Sequence, residues 1–249
     1  NTIIMKPDKI DTLYFSDVNE PISLDRRDFL KKLGGGIIVV FCLGKLSLLD
    51  GWGQNSANDA LDFNAYIRVK EDGRINCYTG KIEMGQGIIT SLAQVVADEL
   101  EVAIEKVDMV MGDTELCPYD AGTWGSLTTR FADPVLRAAA AEAREILIDL
   151  AATKFGVSEA NLKLDNGLIY DVENPSNKAT YAQLTEGKKI VKNLEKKPDI
   201  KRASEFKLIG KPIISTDAIA KVTGTAMYSG DIKLPGMVYA TVVRPRIVG

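Results

Sequence analysis

One short segment combines the residue types and the spacing that binding of a polar ligand requires. In Met84-Gly85-Gln86-Gly87, two glycines flank a glutamine between a predicted strand over residues 74–79 and a predicted helix that ends near residue 100. Glycine lets the backbone approach a ligand closely and adopt a positive φ angle. The first N–H groups of the helix and its positive dipole end would then face an anion or a polar heterocycle. The alternative is a tight turn in which the glycines only satisfy backbone geometry.

A second segment, over residues 112–133, is a long predicted loop that is rich in small and hydroxyl side chains. A loop of this length is usually functional, and its hydroxyl and amide groups could hydrogen-bond a phosphate. The alternative is an Ω-loop whose hydroxyl groups cap the following helix. Asp133 and Pro134 predict the start of that helix, since Asp is a common N-cap and Pro a common first helical residue. The candidate ligand-binding residues of the loop are Gly125, Ser126, Thr128 and Thr129.

Both segments together resemble the molybdenum hydroxylases, which are the xanthine dehydrogenase and aldehyde oxidase family. The similarity is to the large subunits of the branch typified by isoquinoline 1-oxidoreductase and nicotinate dehydrogenase, and it covers residues 62–160 and 208–245. It implies that the two segments hold the pterin of a molybdenum cofactor, whereas Trp124 departs from the small side chains of the family loop. The cofactor-binding residues implied by the resemblance are Met84, Gly85, Gln86, Gly87, Gly125, Ser126, Thr128 and Thr129.

The resemblance also implies a reaction and a set of partners. The reaction is hydroxylation of a carbon next to nitrogen or oxygen in an aldehyde or an N-heterocycle. The implied cofactor is molybdenum-molybdopterin in its cytosine dinucleotide form. We expect this chain to be the N-terminal portion of such an enzyme, to supply neither a catalytic base nor a metal ligand, and to be inactive alone. The alternative is a non-catalytic assembly or binding module that retains the fold without the cofactor.

The partners implied by the resemblance make the protein a hetero-oligomer. They are the remaining molybdopterin-binding domains, on another chain or in a missing C-terminal part, a subunit with 2Fe-2S clusters, and a cytochrome c. The net charge of −3 gives no electrostatic basis for binding nucleic acid. Histidine is absent, which excludes Ser-His-Asp hydrolysis and histidine-ligated zinc in this chain.

The three cysteines do not have the spacing of a metal site. Cys42, Cys77 and Cys117 are far apart and form no Cys-x-x-Cys motif, so an iron–sulfur cluster or structural zinc within this chain is not expected. A disulfide between Cys77 and Cys117 would require an oxidising compartment. Free buried thiols are the favoured alternative.

The N-terminal segment has the pattern of a twin-arginine export signal. Arg26 and Arg27 precede an apolar run of about 12 residues that begins at Leu33. This run is too short and too rich in glycine to predict a transmembrane span. Export by this route suits a protein that must fold around a bulky cofactor first, and it predicts a periplasmic or periplasm-facing inner-membrane location. The alternative is a buried helix preceded by a basic turn.

The predicted fold class is α+β, with strands and packed helices in the N-terminal part of a molybdopterin-binding domain, followed by the start of an α/β hammerhead domain. Alternating apolar residues predict strands over residues 63–69, 75–79, 107–111 and 238–244. Asp98 and Glu99 are expected on a solvent face or as caps of neighbouring groups. The predicted segments are a signal and polar leader (1–60), a molybdopterin-binding segment (61–187), a solvated basic linker (188–207) and the partial hammerhead domain (208–249).

Overall fold

The computed structural model describes residues 35–41, 65–117, 120, 122–193 and 198–244. The chain divides into two compact units, one that ends at Ile209 and one that begins at Gly210. Helices and strands both contribute to the first unit, so the predicted α+β class is confirmed. Within these ranges, no helix is both long enough and apolar enough to cross a bilayer.

The first unit contains a five-stranded sheet and a three-stranded sheet. The large sheet has the order β4-β3-β2-β1-β8, in which β1 pairs antiparallel with β2 and parallel with β8. The strands predicted over residues 63–69, 75–79 and 107–111 are confirmed as β2, β3 and β4, and β2 pairs antiparallel with β3. The strands are β1 (Gly36–Phe41), β2 (Ala65–Val69), β3 (Ile75–Thr79), β4 (Val107–Met111), β5 (Leu162–Asp165), β6 (Leu168–Asp171), β7 (Lys178–Thr180) and β8 (Lys189–Asn193).

Among the described residues there are four α-helices, and the two long ones begin at the candidate ligand-binding segments. The helices are α1 (Ile88–Glu99), α2 (Thr128–Phe155), α3 (Tyr181–Thr185) and α4 (Ala218–Val222). Helix α1 packs against α2, and α2 packs against β1 and β2. Leu92 and Val96 of α1 are fully buried, and so are Ala139 and Ala140 of α2. The small alanine side chains of α2 allow this close packing of the two helices.

The apolar run that resembles part of an export signal forms β1 in the interior of the sheet. Ile37, Ile38 and Val39 are fully buried between β2 and β8. The burial of this run agrees with the alternative prediction of a buried helix. The element is nevertheless a strand, because β-branched residues favour strands. The arginine pair at positions 26 and 27 lies outside the described residues, so the export signal stays a prediction.

Two element boundaries differ from those predicted. Residues 188–207 were expected to be a solvated linker, but Lys189–Asn193 forms β8, whose backbone completes the sheet beside β1. Helix α2 begins at Thr128, so Asp133 is not its N-cap and Pro134 lies inside it. The earlier start is stabilised because Thr128 and Ala132 are buried.

The acidic pair at the end of α1 is buried. The Asp98 carboxylate accepts hydrogen bonds from the backbone N–H groups of residues 207–209, at 3.0, 3.1 and 2.9 Å. Glu99 is fully buried and accepts hydrogen bonds from the guanidinium groups of Arg137 and Arg144. The prediction that this pair lies on a solvent face is therefore wrong, because residues 199–209 fold back over this end of α1. The alternative prediction, that the pair caps neighbouring groups, is correct for Asp98.

The second unit, from Gly210 onward, contains α4 and a short 3-10 turn over Ser229–Asp231. Residues 238–244 were predicted as a strand, but the described residues of this unit form none. Val242 and Val243 are 80% and 89% exposed. Their apolar pattern favours a strand, yet a strand requires a neighbour to pair its backbone groups. The assignment of this unit to a hammerhead domain stays a prediction.

Candidate functional site

The glycine turn before α1 requires glycine at two positions. Gly85 and Gly87 have φ angles of 99° and 80°. A Cβ atom added at either position would meet no atom within 4 Å. Any other residue would therefore be strained by the backbone conformation and not by crowding. The turn leaves open space directly above its backbone, which is the property that a ligand cradle needs.

Glu83 occupies the N–H groups at the start of α1. Its Oε1 accepts hydrogen bonds from the N–H groups of Gly85 (2.7 Å) and Gly87 (3.0 Å), and its Oε2 accepts one from Ile89 (2.9 Å). A carboxylate at this position is stabilised by the helix dipole. These three N–H groups were expected to face a ligand, but they face Glu83 instead. This role was not predicted, because Glu83 lies four residues before the N-cap Gly87, outside the position at which a capping side chain is expected.

The Gln86 side chain is also engaged within the turn. Its Oε1 accepts a hydrogen bond from the N–H of Met84 at 2.6 Å, and its Nε2 donates to the carbonyl of Ile82 at 2.9 Å. The amide was expected to be presented to a ligand, whereas the turn satisfies both of its ends. Gln86 is nevertheless exposed, so its amide can exchange partners when a ligand arrives.

The two predicted segments line a single cavity of about 680 Å³. Seven of the eight predicted residues border it, and the eighth, Gly85, lies next to them in the open glycine turn. The segments are more than 30 residues apart in the sequence, so the fold itself brings them together. The lining residues are Met84, Gln86, Gly87, Ile88, Ser91, Thr123, Trp124, Gly125, Ser126, Leu127, Thr128 and Thr129.

The hydroxyl-rich segment leads directly into α2. Gly125 and Ser126 both have positive φ, at 65° and 54°, which is uncommon for a serine. The N-cap of α2 is Leu127, and no side chain caps this end of the helix. Thr128 and Thr129 therefore lie on the first turn of α2 and not in the loop. Leu127, Thr128 and Thr129 line the cavity, so the first turn of α2 borders it. The start of a helix is a common anion-binding position in proteins.

A lysine links the two segments that line the cavity. Lys81 Nζ lies 2.7 Å from Asp120 Oδ1 and donates to the carbonyl of Gly122 at 2.8 Å. Next to it, the N–H of Ile82 donates to Thr123 Oγ1 at 2.9 Å. Sequence analysis missed all of these residues, because no local pattern pairs side chains that are separated by about 40 positions.

The chain matches a known protein family. The family model of the molybdopterin cofactor-binding domain matches residues 15–227. The chain belongs to this family. The resemblance to the molybdenum hydroxylases that the glycine turn and the hydroxyl-rich loop carry is thereby confirmed.

Three relatives cover most of this molybdopterin-binding chain. It is 33% identical to a nicotinate dehydrogenase subunit of Pseudomonas putida, over 74% of this chain and 15% of the relative. It is 27% identical to the beta subunit of isoquinoline 1-oxidoreductase of Brevundimonas diminuta, over 93% of this chain and 35% of the relative. It is 29% identical to the membrane-bound pyrroloquinoline-quinone aldehyde dehydrogenase of Gluconacetobacter polyoxogenes, over 92% of this chain and 30% of the relative. The chain thus spans between 15% and 35% of the length of these relatives.

The rim of the cavity in this family member is apolar. Trp124 and Met84 are 66% and 67% exposed and belong to opposite segments. The Trp124 indole rests against Gly122, where an added Cβ would lie 3.1 Å from the indole Cδ1. Glycine at position 122 therefore makes room for the ring. An indole and a thioether both favour contact with π systems.

The two described thiols of this molybdopterin-binding chain are free and buried, as predicted. Burial raises the pKa of both the Cys77 and the Cys117 thiol, so each stays protonated at neutral pH. A protonated buried thiol is neither a good nucleophile nor a good metal ligand. Within the part of the chain that the structure describes, no group of three or more histidine, cysteine or acidic side chains could hold a metal ion.

Proposed function

We propose that this chain contributes pterin-binding loops to a molybdopterin-dependent oxidoreductase that hydroxylates aldehydes or N-heterocycles. The observation that carries the proposal is the cavity of about 680 Å³ at which the glycine turn and the hydroxyl-rich segment meet. Two of the relatives are named for N-heterocycles, nicotinate and isoquinoline, and the third is named for aldehydes. These names support the two substrate classes.

The residues present fit the organic part of such a cofactor. Gly85 and Gly87 leave room for close approach of a ring or a phosphate, and Ser126 and Thr129 bring hydroxyl groups to the opposite wall. The Gln86 amide can hydrogen-bond the donors and acceptors of a heterocycle edge. When bound, the cofactor supplies the oxidation–reduction chemistry, and the role of these residues is to bind and orient it.

We further propose the cytosine dinucleotide form of the cofactor and a hetero-oligomeric assembly. The partners in this proposal are the remaining molybdopterin-binding domains, a 2Fe-2S subunit and a cytochrome c. Two of the relatives are named as subunits, which supports a multi-subunit assembly. The catalytic base belongs to the other domains in this proposal, so the isolated chain should oxidise neither an aldehyde nor an N-heterocycle with an artificial electron acceptor.

The deciding experiment compares two glycine variants in the assembled protein. Gly87 and Gly187 both have positive φ, and a Cβ at either would meet nothing within 4 Å, but only Gly87 lines the cavity. Gly87→Ala and Gly187→Ala should therefore cost a similar backbone strain of about 1 kcal/mol. Only Gly87→Ala should lower the molybdenum and pterin content, which metal analysis and pterin fluorescence measure. In a separate measurement on the wild type, release of a cytidine nucleotide would identify the dinucleotide form of the cofactor.

Two results would reject the proposal. Equal molybdenum and pterin content in the two variants would remove the glycine turn from the binding site. A fully assembled wild-type protein without molybdenum or pterin would favour the non-catalytic assembly module instead.

We also propose that the protein is exported by the twin-arginine route to the periplasm or to the periplasmic face of the inner membrane. The support is the Arg26-Arg27 pair before an apolar run. Replacement of both arginines by lysine keeps the charge but removes the paired guanidinium groups, and it should retain the protein in the cytoplasm. Export of this double variant in cell fractionation would contradict the proposal.

A further inference from the structure

Lys81 makes a nearly buried ion pair between the two segments that line the cavity. It lies two residues after the end of β3 and precedes the glycine turn, whereas Asp120 belongs to the hydroxyl-rich segment. The Lys81 side chain is 16% exposed and the Asp120 side chain is 4% exposed. A charge pair this far from water requires good geometry and further hydrogen bonds, since both ions lose their hydration.

Those further hydrogen bonds are present on both sides of the pair. Lys81 Nζ also donates to the carbonyl of Gly122 at 2.8 Å, and Asp120 Oδ1 also accepts the N–H of Gly122 at 2.9 Å. The lysine thus contacts both Asp120 and Gly122 of the hydroxyl-rich segment. A second link from Ile82 N–H to Thr123 Oγ1, 2.9 Å long, lies one residue further along each segment.

Residues that follow these two links in each segment border the cavity. Thr123 and Trp124 border the cavity on one side, and Met84 borders it on the other. We propose that Lys81 is a positioning residue that sets the distance between the glycine turn and the hydroxyl-rich segment through Asp120 and Gly122. Its effect on cofactor binding rests on the proposed function, whereas its effect on the two segments does not.

Amide hydrogen exchange of the 249-residue chain tests this role without a cofactor. Lys81→Met should raise the exchange rate about tenfold or more in peptides that cover residues 80–87 and 122–127, because the amides of Ile82 and Gly122 lose their fixed acceptors. Peptides of β2 and β3 should keep their wild-type rates. The matched control is Lys70→Met, which removes the exposed ion pair with Asp72 outside the cavity and should leave both cavity segments unchanged.

Two further variants separate positioning from general destabilisation. Lys81→Arg retains the charge and the donors and should restore slow exchange at least in part. Lys81→Met combined with Asp120→Asn leaves no unpaired buried charge, so its melting temperature should recover while exchange in the two segments stays fast. Wild-type exchange in Lys81→Met, or equally faster exchange in β2 and β3, would overturn the positioning role.

The assembled protein then shows whether positioning matters for the cofactor. Lys81→Met should lower the molybdenum content at least about tenfold relative to Lys70→Met, because the two binding segments no longer keep a fixed separation. Unchanged molybdenum content would overturn the effect on binding. A wild-type assembly that lacks molybdenum would overturn the proposed function, while the exchange result would still decide the role of Lys81.

Discussion

Glu83 acts at the residue scale as an internal anion for the first turn of α1. Because its carboxylate accepts three backbone N–H groups, it stabilises both the glycine turn and the helix start. We expect Glu83→Ala to lower the free energy of unfolding by about 1–2 kcal/mol, the usual cost of a lost helix cap. Urea denaturation at neutral pH measures this, with the exposed Glu173→Ala as the control. Equal stability of the two variants would show that Glu83 does not cap α1.

Asp133 gives the protein a pH-dependent stability. Its Oδ1 is buried and has no hydrogen-bond partner among the described residues, and burial raises the pKa of the carboxyl to about 6, against a smaller opposing effect of Arg137. Because the folded pKa lies above the unfolded value of 3.8, the folded state holds the proton more tightly. Stability at this site should therefore be greatest at low pH and fall as the pH rises from about 4 to about 7.

Asp133→Asn should remove this loss of stability at higher pH. We expect the variant to be more stable than the wild type by about 1–2 kcal/mol at pH 7.5 and to differ little at pH 4.5. Urea denaturation at both pH values measures the difference, and Asp149→Asn on the exposed face of the same helix is the matched control. A stability gain of the same size at both pH values would mean that the proton on Asp133 is not its cause.

Single residues differ in how well the sequence predicts them. The glycines and hydroxyl residues at the cavity were predictable, because their types restrict the backbone and the hydrogen bonds that they can form. The role of Glu83 was not predictable, because it lies four residues before the N-cap Gly87, where no capping pattern applies. Lys81 was not predictable either, because its partner lies 39 positions away and only the folded chain brings them together.

At the element scale, the end of α1 is held by Glu99 and two arginines of α2. Glu99 is fully buried, and its Oε1 and Oε2 lie 2.9 Å from Arg137 Nη2 and 2.8 Å from Arg144 Nη1. Glu99→Gln would leave two guanidinium groups without their counter-ion in a buried site. We expect it to cost about 3 kcal/mol of unfolding free energy. Asp72→Asn, which breaks the exposed pair with Lys70, should cost less than about 1 kcal/mol.

Urea denaturation of the two variants checks this prediction directly. A cost of less than about 1 kcal/mol for Glu99→Gln would show that the network contributes no more than an exposed pair.

Several elements followed from local patterns, and the failures have physical causes. Alternation predicted β2, β3 and β4, and the capping pair Thr180 and Gln183 marks the start of α3. The start of α2 was placed too late, because burial of Thr128 and Ala132 outweighs the Asp-Pro signal that follows them. Strand β8 was missed, because its charged sequence shows no core pattern and it is stabilised by pairing with β1.

At the scale of the whole molecule, the first unit depends on pairing between distant parts of the chain. β1 joins β2 on one side and β8 on the other, and β8 lies about 150 residues later. Ile38 of β1 belongs to a buried cluster with Tyr66 and Tyr78, whose rings stack with centroids 4.2 Å apart. No local pattern reveals this strand order, since sequence periodicity identifies strands but not their neighbours.

The position of β1 predicts that an exported form of this protein keeps its apolar run. Removal of residues 36–41 would leave the edges of β2 and β8 unpaired and would expose the core that Ile37, Ile38 and Val39 cover. A chain that begins at residue 61 should therefore show no cooperative unfolding, whereas a chain that begins at residue 35 should unfold cooperatively, as measured by thermal denaturation. Mass spectrometry of the periplasmic protein should find residues 36–41 still attached. A mature N-terminus after residue 41, on a protein with an intact melting transition, would mean that β1 is dispensable for the fold.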